Sequence, residues 1–208
     1  MKDKRSLLSL ALAAEQASLK PTPISVFELA HQKWVEGKPI NLSEIAVELG
    51  IGRATVFRWV GSRDALLEEI LWARYLYVFK DARKNAPGQG IEYVAEVFRR
   101  IMQAILDSEA LQRFIEEDPH YALRLLAASR ELQARRHKVC QRMLEEQTAR
   151  GYLKPRLDID SLANIINRIT ESFTYSHPLV GRKPAVDQAV TAIRMLLEPE
   201  PPSESTDS

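Results

Sequence analysis

A single cysteine stands in this chain, Cys140, so it has no second thiol to pair with and fits a reducing compartment. The eight glycines gather into no phosphate-cradling loop, and neither a nucleophile elbow nor a Cys-x-x-Cys pair occurs. The four histidines, His31, His120, His137 and His177, are scattered. Only His137 and Cys140 have ligand-like spacing, and no second pair stands near them in sequence, so no metal site is expected. The acidic pairs Glu68-Glu69, Glu116-Glu117 and Glu145-Glu146 read as solvated helix faces rather than acid-base dyads. The sequence thus offers no catalytic residue, metal ligand or cofactor motif, and an enzyme is not expected. No apolar run reaches the length that spans a bilayer. Strand alternation and internal repeats are missing as well. A net charge of +1 does not announce nucleic acid.

What is present is an ordinary globular composition of 208 residues, 45% of them hydrophobic, enough for a proper core. Charge is unevenly placed. Residues 1–63 hold nine Lys/Arg against six Asp/Glu, whereas the remainder holds twenty against twenty-two. The N-terminal part is therefore the more suited to phosphate. Residues 1–21 form a basic extension. Its outline, basic then apolar then small, mimics a secretory signal, but the apolar stretch is short and Asp3 interrupts the basic residues. Leu8, Ala11, Leu12 and Leu19 fit helical spacing instead, so an extra helix is expected. Lys2, Lys4, Arg5 and Lys20 could reach flanking DNA or form a solvated tail.

Every later segment reads as helix. Thr22-Pro23 opens one with Phe27, Ala30 and Trp34 inward. Ser62 caps another that runs to about Arg83, on the order of 30 Å at ~1.5 Å per residue, before Asn85-Ala86-Pro87-Gly88 breaks the chain. Ile91, Val94, Phe98, Ile101, Met102 and Ile105 form one stripe. Leu111 and Phe114 mark a short helix, and Asp118-Pro119 opens the next, with Tyr121 and Leu125. Leu132–Gln147 carries Val139, Met143 and Leu144 on one side and many Arg on the other. Asp158 opens a helix with Leu162, Ile165, Ile166, Ile169 and Phe173. Pro184 opens the last, with Val186, Val190, Ile193 and Leu197. The Pro/Ser-rich acidic end, 199–208, is expected to be disordered.

The segment from Asn41 to Leu67, NLSEIAVELGIGRATVFRWVGSRDALL, carries the functional signal. It reads as helix, tight turn, helix, turn and the start of a third helix, the layout of a DNA-reading helix-turn-helix. Asn41 and Glu44 predict a capping box. Ile45, Ala46 and Leu49 give an apolar face, and Gly50 can stop the helix in the left-handed conformation. Gly52 is an acceptable next cap. Val56 and Val60 turn inward, leaving Arg53, Ala54, Thr55, Arg58 and Trp59 outward or flanking. Arg suits guanine, and Ala and Thr suit a thymine methyl.

These residues resemble the TetR family of bacterial regulators, most specifically over Ile24 to Leu67. The family pattern is met by Ile45-Ala46, Gly50-Ile51-Gly52, Ala54, Thr55, Val56, Phe57, Trp59-Val60 and Ser62-Arg63-Asp64-Ala65-Leu66. Three positions depart from it. Gly52 replaces a hydroxyl cap, Phe57 replaces a Tyr whose hydroxyl commonly touches phosphate, and Arg63 replaces Lys while keeping the charge. The resemblance implies an all-α fold. A three-helix DNA-binding head (22–67) is joined by a long fourth helix to a helical effector-binding and dimerisation domain (68–198). It implies DNA contacts by Ser43, Arg53, Ala54, Thr55, Phe57, Arg58, Trp59 and Arg63. On this reading Arg53 and Arg58 set base specificity, and Arg63 grips phosphate.

The resemblance further implies a cytoplasmic homodimer on a double-stranded palindromic operator, acting as a repressor released by a small apolar or amphipathic effector, with no membrane partner. One head alone reads too few base pairs. Candidate dimer residues are Ile165, Asn167, Ile169, Thr170, Phe173, Thr174, Val190, Ile193 and Leu197. The polar row Asn167, Thr170 and Thr174 is expected either in that interface or in solvent. Candidate effector-lining residues are Tyr75, Phe79, Phe98, Met102, Phe114, Tyr121, Arg124, His137 and Asn167. The segments ELQARRHKV (131–139) and YSHPLVGRKP (175–184) resemble the subgroup linked to degradation of quorum-sensing lactones. Two other classes stay open at this point: an activator or nucleoid-type DNA binder without a ligand, and a helical protein whose hairpin binds protein.

Overall fold

The computed structural model describes residues 20–175 and 185–199. The expected N-terminal helix, the turn at Pro178–Gly181, the opening at Pro184 and nearly all of the acidic tail lie outside the described residues. Among the described residues there are ten helices and no strand: α1 (Pro23–Val35), α2 (Leu42–Glu48), α3 (Arg53–Val60), α4 (Arg63–Asn85), α5 (Gly90–Leu106), α6 (Glu109–Glu117), α7 (Pro119–Ala128), α8 (Arg130–Ala149), α9 (Ile159–Tyr175) and α10 (Val186–Leu197). None is long and apolar enough to cross a membrane. The chain divides into two compact units between Leu67 and Glu68, and the division falls within α4.

The first unit is a bundle of α1, α2 and α3. Thr22 caps α1 reciprocally with Ser25, and Pro23 occupies the first turn, where a missing N–H costs nothing. The inward face of α1 is Val26, Ala30 and Trp34. Phe27, expected inward, is half-buried and stacks on His31, with ring centroids 5.9 Å apart. The expected box at Asn41 takes another form. The Asn41 side-chain oxygen accepts from the Ser43 N–H at 2.9 Å, while its amide donates to Glu44 Oε1 at 3.1 Å. Glu44 thus braces the cap residue's side chain rather than returning to its backbone. Gly50 ends the turn at φ +64°, and the Ile51 N–H closes on the Ala46 carbonyl at 3.0 Å.

The second unit packs α8 on α9, and α10 on both α5 and α9. Val94, Val97, Phe98, Ile101 and Met102 of α5 are all fully buried. They supply the apolar centre, at roughly 1.5–3 kcal/mol for each large side chain. One close approach pins the start of this helix. Gly90 sits at φ +62° and has no room for a Cβ, because one would meet the Tyr152 carbonyl oxygen at 2.5 Å. Its N–H donates to the buried Gln147 side chain at 2.9 Å.

Candidate nucleic-acid interface and effector interior

α3 is short because a glycine stands at each end. Gly52 caps it without a side-chain hydrogen bond, and Gly61 ends it at φ +75°. Val56 is its one fully buried residue. Arg53, Ala54, Phe57 and Arg58 are exposed, and Thr55, Trp59 and Val60 are half-buried. Beside α3 lies an open groove of about 440 Å³ lined by Pro39, Ile40, Asn41, Leu42, Ser43, Arg53, Phe57 and Arg63. The Arg53 guanidinium lies over the Phe57 ring, 5.2 Å from its centroid. Arg63 also lines the groove, its Nε donating to the Ile40 carbonyl at 3.1 Å. Two cationic side chains, the half-buried Ser43 and an apolar floor therefore converge. Of the eight residues expected to meet DNA, Ser43, Arg53, Phe57 and Arg63 meet in this groove, while Ala54, Thr55, Arg58 and Trp59 lie elsewhere on α3.

The second unit contains a polar cluster where an apolar core is the rule. Arg136 of α8 is 5% exposed and Glu171 of α9 is 6% exposed, with Arg136 Nη1 3.5 Å from Glu171 Oε1. Arg136 Nη2 donates to the Leu126 carbonyl at the end of α7. Gln133 donates to Leu126, Ala127 and Glu171. Arg168 reaches Glu171 Oε2 at 3.0 Å. The guanidinium of Arg136 also lies 5.8 Å from the Tyr75 ring centroid. Its Nε has no acceptor among the described residues. Burial pushes the Tyr75 and Tyr175 phenols above their usual range and the Cys140 thiol up to about 12, so these groups stay protonated at neutral pH.

Neither Arg136 nor Glu171 was expected inside. The signal was available: Leu132, Arg136, Cys140, Met143 and Gln147 recur at three and four residues and are all buried. A charge within that stripe is masked by the neighbouring solvated arginines. Of the expected lining residues, Phe79, Phe98, Met102 and Asn167 are buried, and Tyr75 is half-buried beside Arg136. Phe114 and Tyr121 form an edge-to-face pair 5.8 Å apart, with Arg124 over Tyr121 at 5.1 Å. Arg124 is exposed, and His137 faces outward to pair with the exposed Asp160 at 2.8 Å, so the interior is not lined by these two. Among the described residues no three His, Cys, Asp or Glu converge as a metal site would require.

The dimer candidates divide by exposure. Asn167, Thr170 and Thr174 are buried within the chain, so this polar row is neither solvated nor offered to a partner. Its hydroxyls satisfy themselves, Thr170 donating to the Ile166 carbonyl at 2.9 Å and Thr174 to the Thr170 carbonyl at 2.6 Å. Val190, Ile193 and Leu197 are likewise buried in their own protomer. The apolar stripe Ile165, Ile169 and Phe173 takes a flank beside the exposed Asn164, Arg168 and Ser172: Ile165 is exposed, and Ile169 and Phe173 are half-buried. On α10 the outer side holds Met195, 66% exposed.

Comparison with known proteins agrees with this architecture. Residues 89–198 match the family model described as the tetracyclin repressor-like C-terminal domain. The structure of the R. erythropolis transcriptional repressor QsdR, from the TetR family, is 30% identical, with 85% of this chain and 96% of that one covered and a TM-score of 0.78. Two further structures share the fold at lower identity. The Dietzia TetR-family repressor AlkX is 18% identical, covering 86% and 98% of the two chains, with a TM-score of 0.57. The Bacillus subtilis regulator FadR, solved with stearoyl-CoA, is 14% identical, covering 85% and 97%, with a TM-score of 0.55. No curated protein matches the sequence. A family match over more than half of the chain, joined to an all-helical structure with an exposed basic helix-turn-helix, places this chain in the TetR family of ligand-responsive DNA-binding transcriptional regulators.

Proposed function

We propose that this chain is a cytoplasmic repressor that holds a palindromic operator as a homodimer and is released by a small apolar or amphipathic effector. The observation that carries the DNA half is α3 itself: a short helix, set between two glycines, that buries only Val56 and leaves Arg53, Ala54 and Arg58 exposed. An exposed helix of this kind fits the major groove, where Arg58 would reach a base edge and Ala54 would tolerate a thymine methyl. Two such helices from a symmetric dimer would address half-sites about one helical turn apart, ~34–36 Å.

The effector half is supported by an apolar interior around Phe98, Ile101 and Met102 and by a buried charged pair, Arg136–Glu171, in the same unit. An amphipathic molecule would place its acceptor atoms toward Arg136 Nε and its apolar part among the α5 side chains. The FadR structure, similar in fold, holds an acyl thioester, which supports a lipid-like class. The likeness to QsdR extends over most of both chains and, with the segments 131–139 and 175–184, supports the lactone-degradation subgroup. Release requires only that the effector bind one arrangement of the two heads better than the other.

The test is selection of bound sequences from a random duplex library with the full chain. The expected outcome is an inverted repeat with half-sites about one turn apart. Arg58→Ala is expected to relax preference at one position per half-site, by about tenfold or more. Recovery of no enriched sequence, with binding insensitive to salt, would sink the reading.

A further inference from the structure

We infer that Arg53 is a phosphate clamp rather than a base reader, with Phe57 as the platform that aims it. The inference rests on α3 being the DNA-facing helix. Each residue of an α-helix advances by roughly 100°. Taking the fully buried Val56 as the inward pole, Ala54 and Arg58 fall within roughly 20° of the opposite pole. Arg53 and Phe57 fall together on one flank, and Thr55 and Trp59 on the other. The burial agrees, since Thr55 and Trp59 are half-buried against the bundle while Arg53 and Phe57 border the open groove.

The groove explains what Arg53 does there. With its guanidinium over the Phe57 ring, Arg53 is held to the flank and drawn off the outward pole. A guanidinium lying on an aromatic ring keeps its N–H edge for a second partner, and that edge matches a phosphate. Arg63, tied to the Ile40 carbonyl, and Ser43 line the same groove. A guanidinium on an aromatic platform, in a groove that a second arginine also lines, is suited to a phosphodiester of the duplex backbone at the margin of a DNA-reading helix. Base discrimination then falls on Arg58 and Ala54 at the outward pole, with Thr55 and Trp59 on the far flank.

The experiment compares the full-length parent, Arg53→Ala, Arg53→Lys and Phe57→Leu on the selected operator and on a scrambled duplex of equal length. The readouts are affinity across a salt series, base preference by repeated selection, and single methylphosphonate substitutions along the operator. Arg53→Ala is expected to weaken both duplexes by the same factor, about tenfold, to lower the salt slope by about one and to leave base preference unchanged. One methylphosphonate that weakens the parent should no longer weaken this variant. Phe57→Leu should lose part of the same affinity through the same phosphate, and Arg53→Lys should keep the slope while losing affinity. Both substituted residues are exposed and line the groove, and circular dichroism checks that each of the three variants folds. A changed base preference in Arg53→Ala, or unchanged affinity for both duplexes, overturns the clamp while leaving the DNA-binding reading intact. A parent chain that binds neither duplex in a salt-dependent manner overturns both.

Discussion

Arg136 brings a full charge into a core otherwise made of Phe98, Met102, Met143 and their neighbours. Such a charge is tolerated only because Glu171 lies 3.5 Å away and the end of α7 supplies a carbonyl. Removing Glu171 takes from the buried Arg136 its carboxylate partner, whereas removing Arg136 leaves Glu171 with Arg168 and Gln133. Glu171→Leu is therefore expected to destabilise the second unit by about 3–5 kcal/mol, and Arg136→Met by less. The double variant Arg136→Met with Glu171→Leu replaces the pair by apolar volume and is expected to recover most of that loss. Urea unfolding of the four proteins, read as a double-mutant cycle, measures the coupling. A double variant as unstable as the sum of the singles would show that the pair does not act as a unit.

Elements are set partly by their ends. The caps at Thr22, Asn41, Ser62, Asp118 and Ser129 are each made by a local side chain, and each is legible from the residue type and the next three positions. The start of α5 is different. Gly90 is fixed by a segment sixty residues away, because the Tyr152 carbonyl occupies the space a Cβ would need. Gly90→Ala combines that collision with a left-handed backbone and is expected to cost about 1–3 kcal/mol, visible as a lowered midpoint in thermal unfolding. Gly52 at the cap of α3 meets only Thr55 Oγ1 at 3.8 Å, so a small side chain there has space. The same residue type thus has opposite tolerance at two helix starts. Nothing in the local sequence distinguishes them.

At the scale of the molecule, one apolar surface left partly uncovered among the described residues is a flank of α9. Ile165, Ile169 and Phe173 form a stripe that the chain itself leaves partly open, beside the exposed polar residues Asn164, Arg168 and Ser172. An apolar stripe left partly open on a C-terminal helix favours a second copy as its cover. Ile165→Asp with Phe173→Asp is expected to shift a dimer to monomer in sedimentation at micromolar concentration, with operator affinity falling by about a hundredfold or more as the second head is lost. Asn167→Ala, buried in its own protomer, should leave the dimer intact. If instead the Asp pair sediments with the parent, the partner face lies elsewhere.

The helix-turn-helix was legible because its determinants are local. A cap, a glycine free to take φ +64° and an apolar period each act within one or two turns, and a short chain segment contains them all. The helical character of the remainder follows from the same periods. Three choices were not local. Helix α9 carries two competing stripes, and only packing against α8 and α10 chose the one containing Asn167, Thr170 and Thr174. Arg136 went inward because a charge partner and a helix end awaited it, a condition met by residues some ten and thirty-five positions away. The groove that Arg53 borders is built by the loop before α2 and the first residue of α4, which the helical spacing that puts Arg53 on the flank of α3 does not reveal. The sequence by itself determined the helices, their caps and the presence of a DNA-reading motif, since these depend on short-range hydrogen bonding and apolar spacing. Only the tertiary structure decided which face of each helix is spent on the core, because that depends on what each face finds opposite it.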